Sequence, residues 1–203
     1  MKLYYLPGAC SLASHIALRE ARASFELDRL DNASKKTAAG DDFLAINPKG
    51  YVPALTLDGG GVLTEGAAIL QYIADQNPAA GLAPAAGTLE RARLQEYLNY
   101  VATELHKSFS PLFNPESSEE MKAAARKKVA QRLDLVEQWL ADGRPYLLGD
   151  SFSVADAYLF TVANWTGPTG IGLDNWPNVA AFQQRVAARD AVQAALKAEG
   201  LAA

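Results

Sequence analysis

The chain has almost none of the thiol and imidazole side chains that build disulfides and the commonest zinc centres. Among 203 residues there are one cysteine, two histidines and two methionines. A lone cysteine, Cys10, forms no internal disulfide, which points to a reducing, cytoplasmic setting. The histidines, His15 and His106, stand far from each other, and His106 far from Cys10. No metal-ligand spacing results, so no metal is expected. Runs of like charge are missing too. Nineteen Lys and Arg face 23 Asp and Glu, for a net charge of −4, which argues against nucleic acid or an anionic membrane as the main partner. No apolar run approaches the roughly 18 residues that span a bilayer. The opening segment is expected to be no secretory leader, because its apolar run before Pro7 is far shorter than the roughly 7–15 residues of a leader core. What remains is an ordinary globular composition, 49% hydrophobic and 21% charged, long enough for one large domain or two small ones.

The first 79 residues read as alternating α and β. Leu3–Leu6 is apolar and aromatic, suited to a buried strand, and Pro7-Gly8 breaks it. From Cys10 onward Leu12, Ala13, Ile16 and Ala17 recur at helical spacing. Ser24–Leu30 is a second strand, and the polar stretch 31–40 a loop. Asp41 and Asp42 start a short helix through Phe43, Leu44 and Ile46, ended by Pro48. Ala54–Leu57 and Val62–Leu63 form a hairpin around Asp58-Gly59-Gly60-Gly61, and a helix follows over 67–74. The order is β-α-β-α-β-β-α. Residues 80–87, rich in alanine, proline and glycine, read as a linker. From 88 to 203 the chain is helical. Thr88 caps a long helix to about Ser110, a loop bounded by Pro111 and Pro115 follows, and a second long helix covers 118–140. Ser153 and Asp156 have capping-box spacing and open an apolar helix, and helices over 178–189 and 191–199 finish the chain. The fold class is thus α/β over 1–79 plus all-α over 88–203.

Four stretches carry chemistry. Cys10 sits at a helix start, where unpaired N–H groups and the helix dipole favour an anion. A free thiol of pKa about 8.5 is roughly 3% thiolate at neutral pH, and a fall of about two units makes it mostly thiolate. No second cysteine follows three residues on, where Ala13 stands, so a mixed disulfide at Cys10 needs an external thiol for its resolution. Val52-Pro53 opens a strand; a cis bond there leaves the backbone of Val52 open to an extended ligand. Glu65-Gly66 stands between a strand and a helix, where the backbone N–H groups suit a carboxylate and Glu65 an ammonium, together an amino-acid head group. On the long helix Leu94, Leu98, Val101, Leu105 and Phe109 form the core seam. Asn99, Thr103, His106 and Ser110 form a polar stripe beside it, with Lys107 further round. That stripe is either a solvated face or the lining of a cleft with His106 or Lys107 near the sulfur.

Taken together, Tyr4-Tyr5-Leu6-Pro7-Gly8-Ala9-Cys10-Ser11, Asn47-Pro48-Lys49-Gly50-Tyr51-Val52-Pro53-Ala54-Leu55, Leu63-Thr64-Glu65-Gly66-Ala67-Ala68-Ile69, Glu104-Leu105-His106-Lys107 and Phe152-Ser153-Val154-Ala155-Asp156-Ala157-Tyr158 resemble the bacterial beta-class glutathione S-transferases. The resemblance runs over the whole chain to the Ala-Glu-Gly-Leu tail. The pairing of Cys10 with His106 is specific to that class, whereas the Val-Pro and Ser-x-x-Asp motifs are shared more widely. The resemblance implies a thioredoxin-like N-terminal domain, an all-helical C-terminal domain and a homodimer. It implies glutathione extended across Val52, its γ-glutamyl end at Glu65 and Gly66 and its glycyl end near Lys35. Asn99 and Thr103 would reach the site from the partner subunit, and Cys10 and His106 would face the sulfur. Many relatives carry serine where this chain has Gly66, so one hydroxyl contact is missing. The implied activity is conjugation of the glutathione thiolate to small hydrophobic electrophiles, in detoxification, with glutathione as co-substrate and no metal. Phe109, Phe113, Trp165 and Pro168 are the expected lining of the electrophile pocket. Two other readings stay open at this point, a glutathione-dependent thiol/disulfide reductase using Cys10 and a non-catalytic carrier of hydrophobic ligands.

Overall fold

A mixed sheet organises the N-terminal part of the computed structural model, which describes residues 1–201. Its strands are β1 (Lys2–Tyr5), β2 (Glu26–Asp31), β3 (Lys36–Thr37), β4 (Ala54–Thr56) and β5 (Val62–Thr64), in the order β3-β2-β1-β4-β5. β1 runs parallel to β2, with Leu3 opposite Leu27, and antiparallel to β4, with Leu3 opposite Leu55. The parallel pair requires a crossover, which α1 (Ser11–Glu20) supplies. The other pairs are antiparallel, and β4 and β5 form the expected hairpin. β3 departs from the expected 31–40 loop; its two residues are too few to show an alternating pattern. α2 (Phe43–Ile46) is capped by Asp42, whose Oδ1 accepts from the Leu44 N–H at 3.1 Å. α3 (Gly66–Gln76) follows β5. Tyr4, Leu30, Phe43, Val52 and Ala54 make one buried cluster, against which Leu6, Ala9 and Ile46 pack.

The chain divides into two compact units, Met1–Ala83 together with the segment from Ala188 onward, and Pro84–Ala187. The last helix therefore belongs with the sheet and not with the other helices, unlike the continuous helical span 88–203 read from the sequence, whose residues 202 and 203 lie outside the described residues. This helix, α9 (Asp190–Ala198), packs on α1 and buries Val192 and Ala195. Linear order could not show this, because an amphipathic pattern says which face is buried and not against what.

The second unit holds α4 (Leu89–Tyr100), α5 (Ser110–Phe113), α6 (Glu119–Leu140), α7 (Val154–Ala163) and α8 (Pro177–Ala187). Thr88 and Ser118 cap α4 and α6, accepting from the Arg91 N–H at 3.1 Å and the Met121 N–H at 3.2 Å. The expected single helix to Ser110 changes character on the way: Val101–His106 is a π-helical stretch continuing α4. α5 stands where the proline-bounded loop was expected. Pro111 lies in its first turn, where a missing N–H costs nothing. The seam Leu94, Leu98, Val101, Leu105 and Phe109 is buried as expected. α7 is buried on every side, as a helix apolar all round must be.

Candidate functional site

The loop ahead of Cys10 is a tight turn built by its own sequence. The Ala9 N–H donates to the Leu6 carbonyl at 3.1 Å, Pro7 fixes the second position, and Gly8 takes φ +70° at the third. Ser11 ties the turn to the helix: its hydroxyl accepts from the Leu6 N–H at 3.2 Å and lies 3.3 Å from the Leu6 carbonyl. The outward N–H of Gly8 is taken by Glu199 Oε2 at 2.9 Å. Cys10 is the N-cap of α1 and half-buried. Its Sγ donates to the Val52 carbonyl at 3.2 Å. Val52 is buried and its bond to Pro53 is cis. Asn47 holds the loop before it, with Nδ2 donating to the Tyr51 carbonyl at 2.8 Å.

Glu65, the N-cap of α3, has φ +69°. That region costs an ordinary residue roughly 1–3 kcal/mol and persists where the surroundings demand it. Its Oε1 accepts from Lys49 Nζ at 2.5 Å and from the Tyr51 hydroxyl at 3.3 Å. The Lys49 ammonium also reaches Thr64 Oγ1 at 2.9 Å, and the hydrogen bond to Glu65 holds its pKa above the usual lysine value. At the start of α3 the Glu65 carbonyl accepts from the N–H groups of Ala68 and Ile69, each at 3.0 Å. No partner for the N–H of Gly66 or Ala67 is found among the described residues. Lys35 also has a left-handed backbone, φ +54°, and its Nζ donates to the Gly50 carbonyl at 2.8 Å and to Asn32 Oδ1 at 2.7 Å. The first unit therefore gathers Cys10 with Val52, Glu65 with Gly66, and Lys35 with the loop leading to Val52.

Three further candidates stand on the second unit. Asn99 and Thr103 are exposed, and Thr103 Oγ1 donates to the Asn99 carbonyl at 3.0 Å. His106 ends the π-helical stretch, with Nδ1 2.8 Å from the Tyr158 hydroxyl. Its ring meets Trp165 edge-on at 4.8 Å. Burial first, and the neighbouring Lys107 charge second, push its pKa down to about 4. The imidazole is therefore neutral at physiological pH, and with Nδ1 committed to Tyr158, Nε2 is the nitrogen left for other partners. Lys107 itself is exposed. Of the expected pocket lining, Phe113 and Trp165 pack with their rings 5.5 Å apart, but Phe109 is fully buried and belongs to the core.

Lys49, Tyr51 and Tyr158 were not singled out from sequence, although each holds a candidate residue. Lys49 and Tyr51 flank Gly50 inside the Asn-Pro-Lys-Gly-Tyr-Val-Pro motif, and that adjacency was the available signal. Tyr158 closes the Phe152–Tyr158 motif, but nothing in that motif ties it to His106, which lies 52 residues away.

The chain matches the family description "Glutathione S-transferase, N-terminal domain" over residues 8–76 and "Glutathione S-transferase, C-terminal domain" over 100–190. It is 49% identical to the glutathione S-transferase GstA of Escherichia coli O157:H7 over 99% of this chain and 100% of the relative. Among solved structures, a sphingomonad glutathione S-transferase complexed with glutathione is 54% identical, with TM-score 0.96 and all of both chains covered. A bacterial beta-class glutathione S-transferase of Sphingomonas chungbukensis is 53% identical, with TM-score 0.96 over 99% of this chain and 100% of that one. With a thioredoxin-like sheet unit ahead of an all-helical one, and with likeness of this extent along its whole length, the chain belongs to the glutathione S-transferase family, among its bacterial beta-class members.

Proposed function

We propose that the protein conjugates the thiolate of glutathione to small hydrophobic electrophiles. The observation that carries this reading is the contact of Cys10 Sγ with the Val52 carbonyl at 3.2 Å. It supports the reading because the only thiol then lies beside a backbone suited to pairing with an extended γ-linked tripeptide as an added strand. At the γ-glutamyl end, the N–H groups of Gly66 and Ala67 at the start of α3 receive the α-carboxylate. Glu65 receives the ammonium, its carboxylate held in place by Lys49 and Tyr51. Gly66 offers no hydroxyl, so affinity is lower by about 1 kcal/mol than with a serine there. At the glycyl end Lys35 supplies a positive charge. Asn99 and Thr103 are exposed, as residues offered to a partner subunit must be, and the protein works as a homodimer.

Cys10 and His106 attend the glutathione sulfur. A neutral imidazole with its proton on Nε2 donates to the thiolate without adding a charge, and Tyr158 fixes the ring for this. Catalysis comes from donors set in advance around a thiolate and from two reactants held together. The apolar side of the electrophile site is drawn from Phe113 and Trp165. A single cysteine, which can form no internal disulfide, fits a cytoplasmic detoxification role.

Calorimetric titration of glutathione and turnover of a chloronitroarene test the proposal. Saturable binding with conjugation at a rate above the uncatalysed reaction supports it. Binding without turnover of any electrophile assigns the chain to ligand carriage instead, and no binding at millimolar glutathione removes the reading.

A further inference from the structure

A groove of about 730 Å³ opens on the first unit between the end of α1, the connection through Arg22 to Phe25, and the start of α9. None of the residues assigned above to glutathione lines it. Its volume falls within the ~300–1,000 Å³ of small-molecule sites. Its charged lining is Arg19, Arg22 and Arg189 against Glu20 and Asp190. Arg189 and Glu20 grip each other by two hydrogen bonds, at 2.5 and 2.9 Å, and neutralise one another. Asp190 begins α9, where the helix N-terminus offsets its charge. Arg19 and Arg22 are left.

Arg19 is held ready. Its Nε donates to His15 Nε2 at 2.8 Å, and its guanidinium lies 5.8 Å from the Phe25 ring centre. His15 is fully buried and anchored in turn by Glu199 at 2.9 Å. No partner for the terminal nitrogens of Arg19, nor for any side-chain nitrogen of Arg22, is found among the described residues. Arg22 also occupies an unfavourable place. α1 ends in a Schellman motif, with Arg22 N–H donating to the Arg19 carbonyl and Ala23 N–H to the Leu18 carbonyl, both at 3.0 Å. The position with φ +51° is the one glycine favours, and here it carries the longest cationic side chain.

We infer that this groove binds an aromatic carboxylate. Arg19 and Arg22 take the carboxylate through their guanidinium forks, whose geometry matches its two oxygens. The ring lies against Phe25 and the alanines of α9.

The test is calorimetric titration of 2-naphthoate into the full-length protein in the presence of saturating S-hexylglutathione. One site per chain is expected. Arg22→Gly is expected to weaken it roughly tenfold or more while raising the melting temperature, because glycine takes the left-handed conformation without strain. Arg22→Gln, which keeps the side-chain bulk, is expected to weaken binding similarly and serves if the glycine variant folds poorly. The neutral analogue 2-naphthylmethanol is expected not to saturate. Unchanged affinity in both variants, loss of the site when S-hexylglutathione is present, or equal binding of the alcohol overturns the inference.

Discussion

Burial decides what His106 can do. An exposed histidine titrates near 6.5, whereas His106 is pushed down to about 4. Between those values the unfolded chain holds a proton that the folded chain does not, so this ring's contribution to stability is full above pH 6.5 and is lost as the pH falls through 4. The span is worth up to about 3 kcal/mol. Urea unfolding of wild type and His106→Gln from pH 7 to 4 reads it directly. The gap between the two is expected to narrow by up to that amount on acidification, and a gap independent of pH would mean the ring is not desolvated. Glu65 tests the γ-glutamyl end of the proposed glutathione site. Glu65→Gln removes the charge and leaves the shape. Glutathione affinity is expected to fall about tenfold to a hundredfold, the range for one charged hydrogen bond, with an unchanged dissociation constant by calorimetry as the contrary result. Both residues are readable from sequence as candidates, but the contacts that hold them are not. The left-handed backbone of Glu65 and the pairing of His106 with Tyr158 depend on residues that only folding brings near.

At the scale of single elements, α7 shows a local signal strong enough to read directly. Ser153 and Asp156 form the capping box that their spacing announces, the Asp156 carboxylate accepting from the Ser153 N–H at 2.8 Å and the Ser153 hydroxyl at 2.7 Å. A third donor, the Leu147 N–H at 2.8 Å, was invisible from the motif. Asp156→Ala leaves these buried donors without an acceptor, and the expected loss is about 3 kcal/mol or more by urea unfolding; a loss under about 1 kcal/mol would contradict this account. Burial pushes the Asp156 carboxyl up to about 6, so its own pH dependence has the opposite sign to that of His106. Its contribution is full below the usual carboxylate value and declines as the pH rises through 6. Elements without such a signal depart from the sequence expectation for definite reasons. The π-helical stretch at 101–106 keeps the same seam buried as an α-helix would, so periodicity cannot separate the two. Pro111 reads as a breaker unless its place in the first turn of α5 is known.

For the whole molecule, the informative feature is where the chain finishes. The sequence shows an α/β part followed by helices, and that division follows from the switch in hydrophobic period. It cannot show that the last helix leaves its neighbours and closes on the first one. Glu199 explains why it does. Its two carboxylate oxygens accept from His15 Nδ1 and from the Gly8 N–H, each at 2.9 Å. His15 must carry its proton on Nδ1, because its Nε2 accepts from Arg19. Both partners of Glu199 are therefore fixed donors, and only a group with two acceptors satisfies them. Glu199→Gln turns one oxygen into a donor facing a donor, and Glu199→Ala leaves both unsatisfied within a buried network. The alanine change leaves two buried donors without an acceptor and is expected to cost about 2–6 kcal/mol, roughly 1–3 for each, and the glutamine change is expected to recover only part of it. Hydrogen exchange at the Gly8 amide distinguishes this from a general loosening. In wild type the amide is expected to be protected, and in both variants to exchange faster by a larger factor than the amides of β4 and β5 in the same unit. Equal acceleration throughout the sheet would show that Glu199 acts on overall stability alone and not on the turn ahead of Cys10.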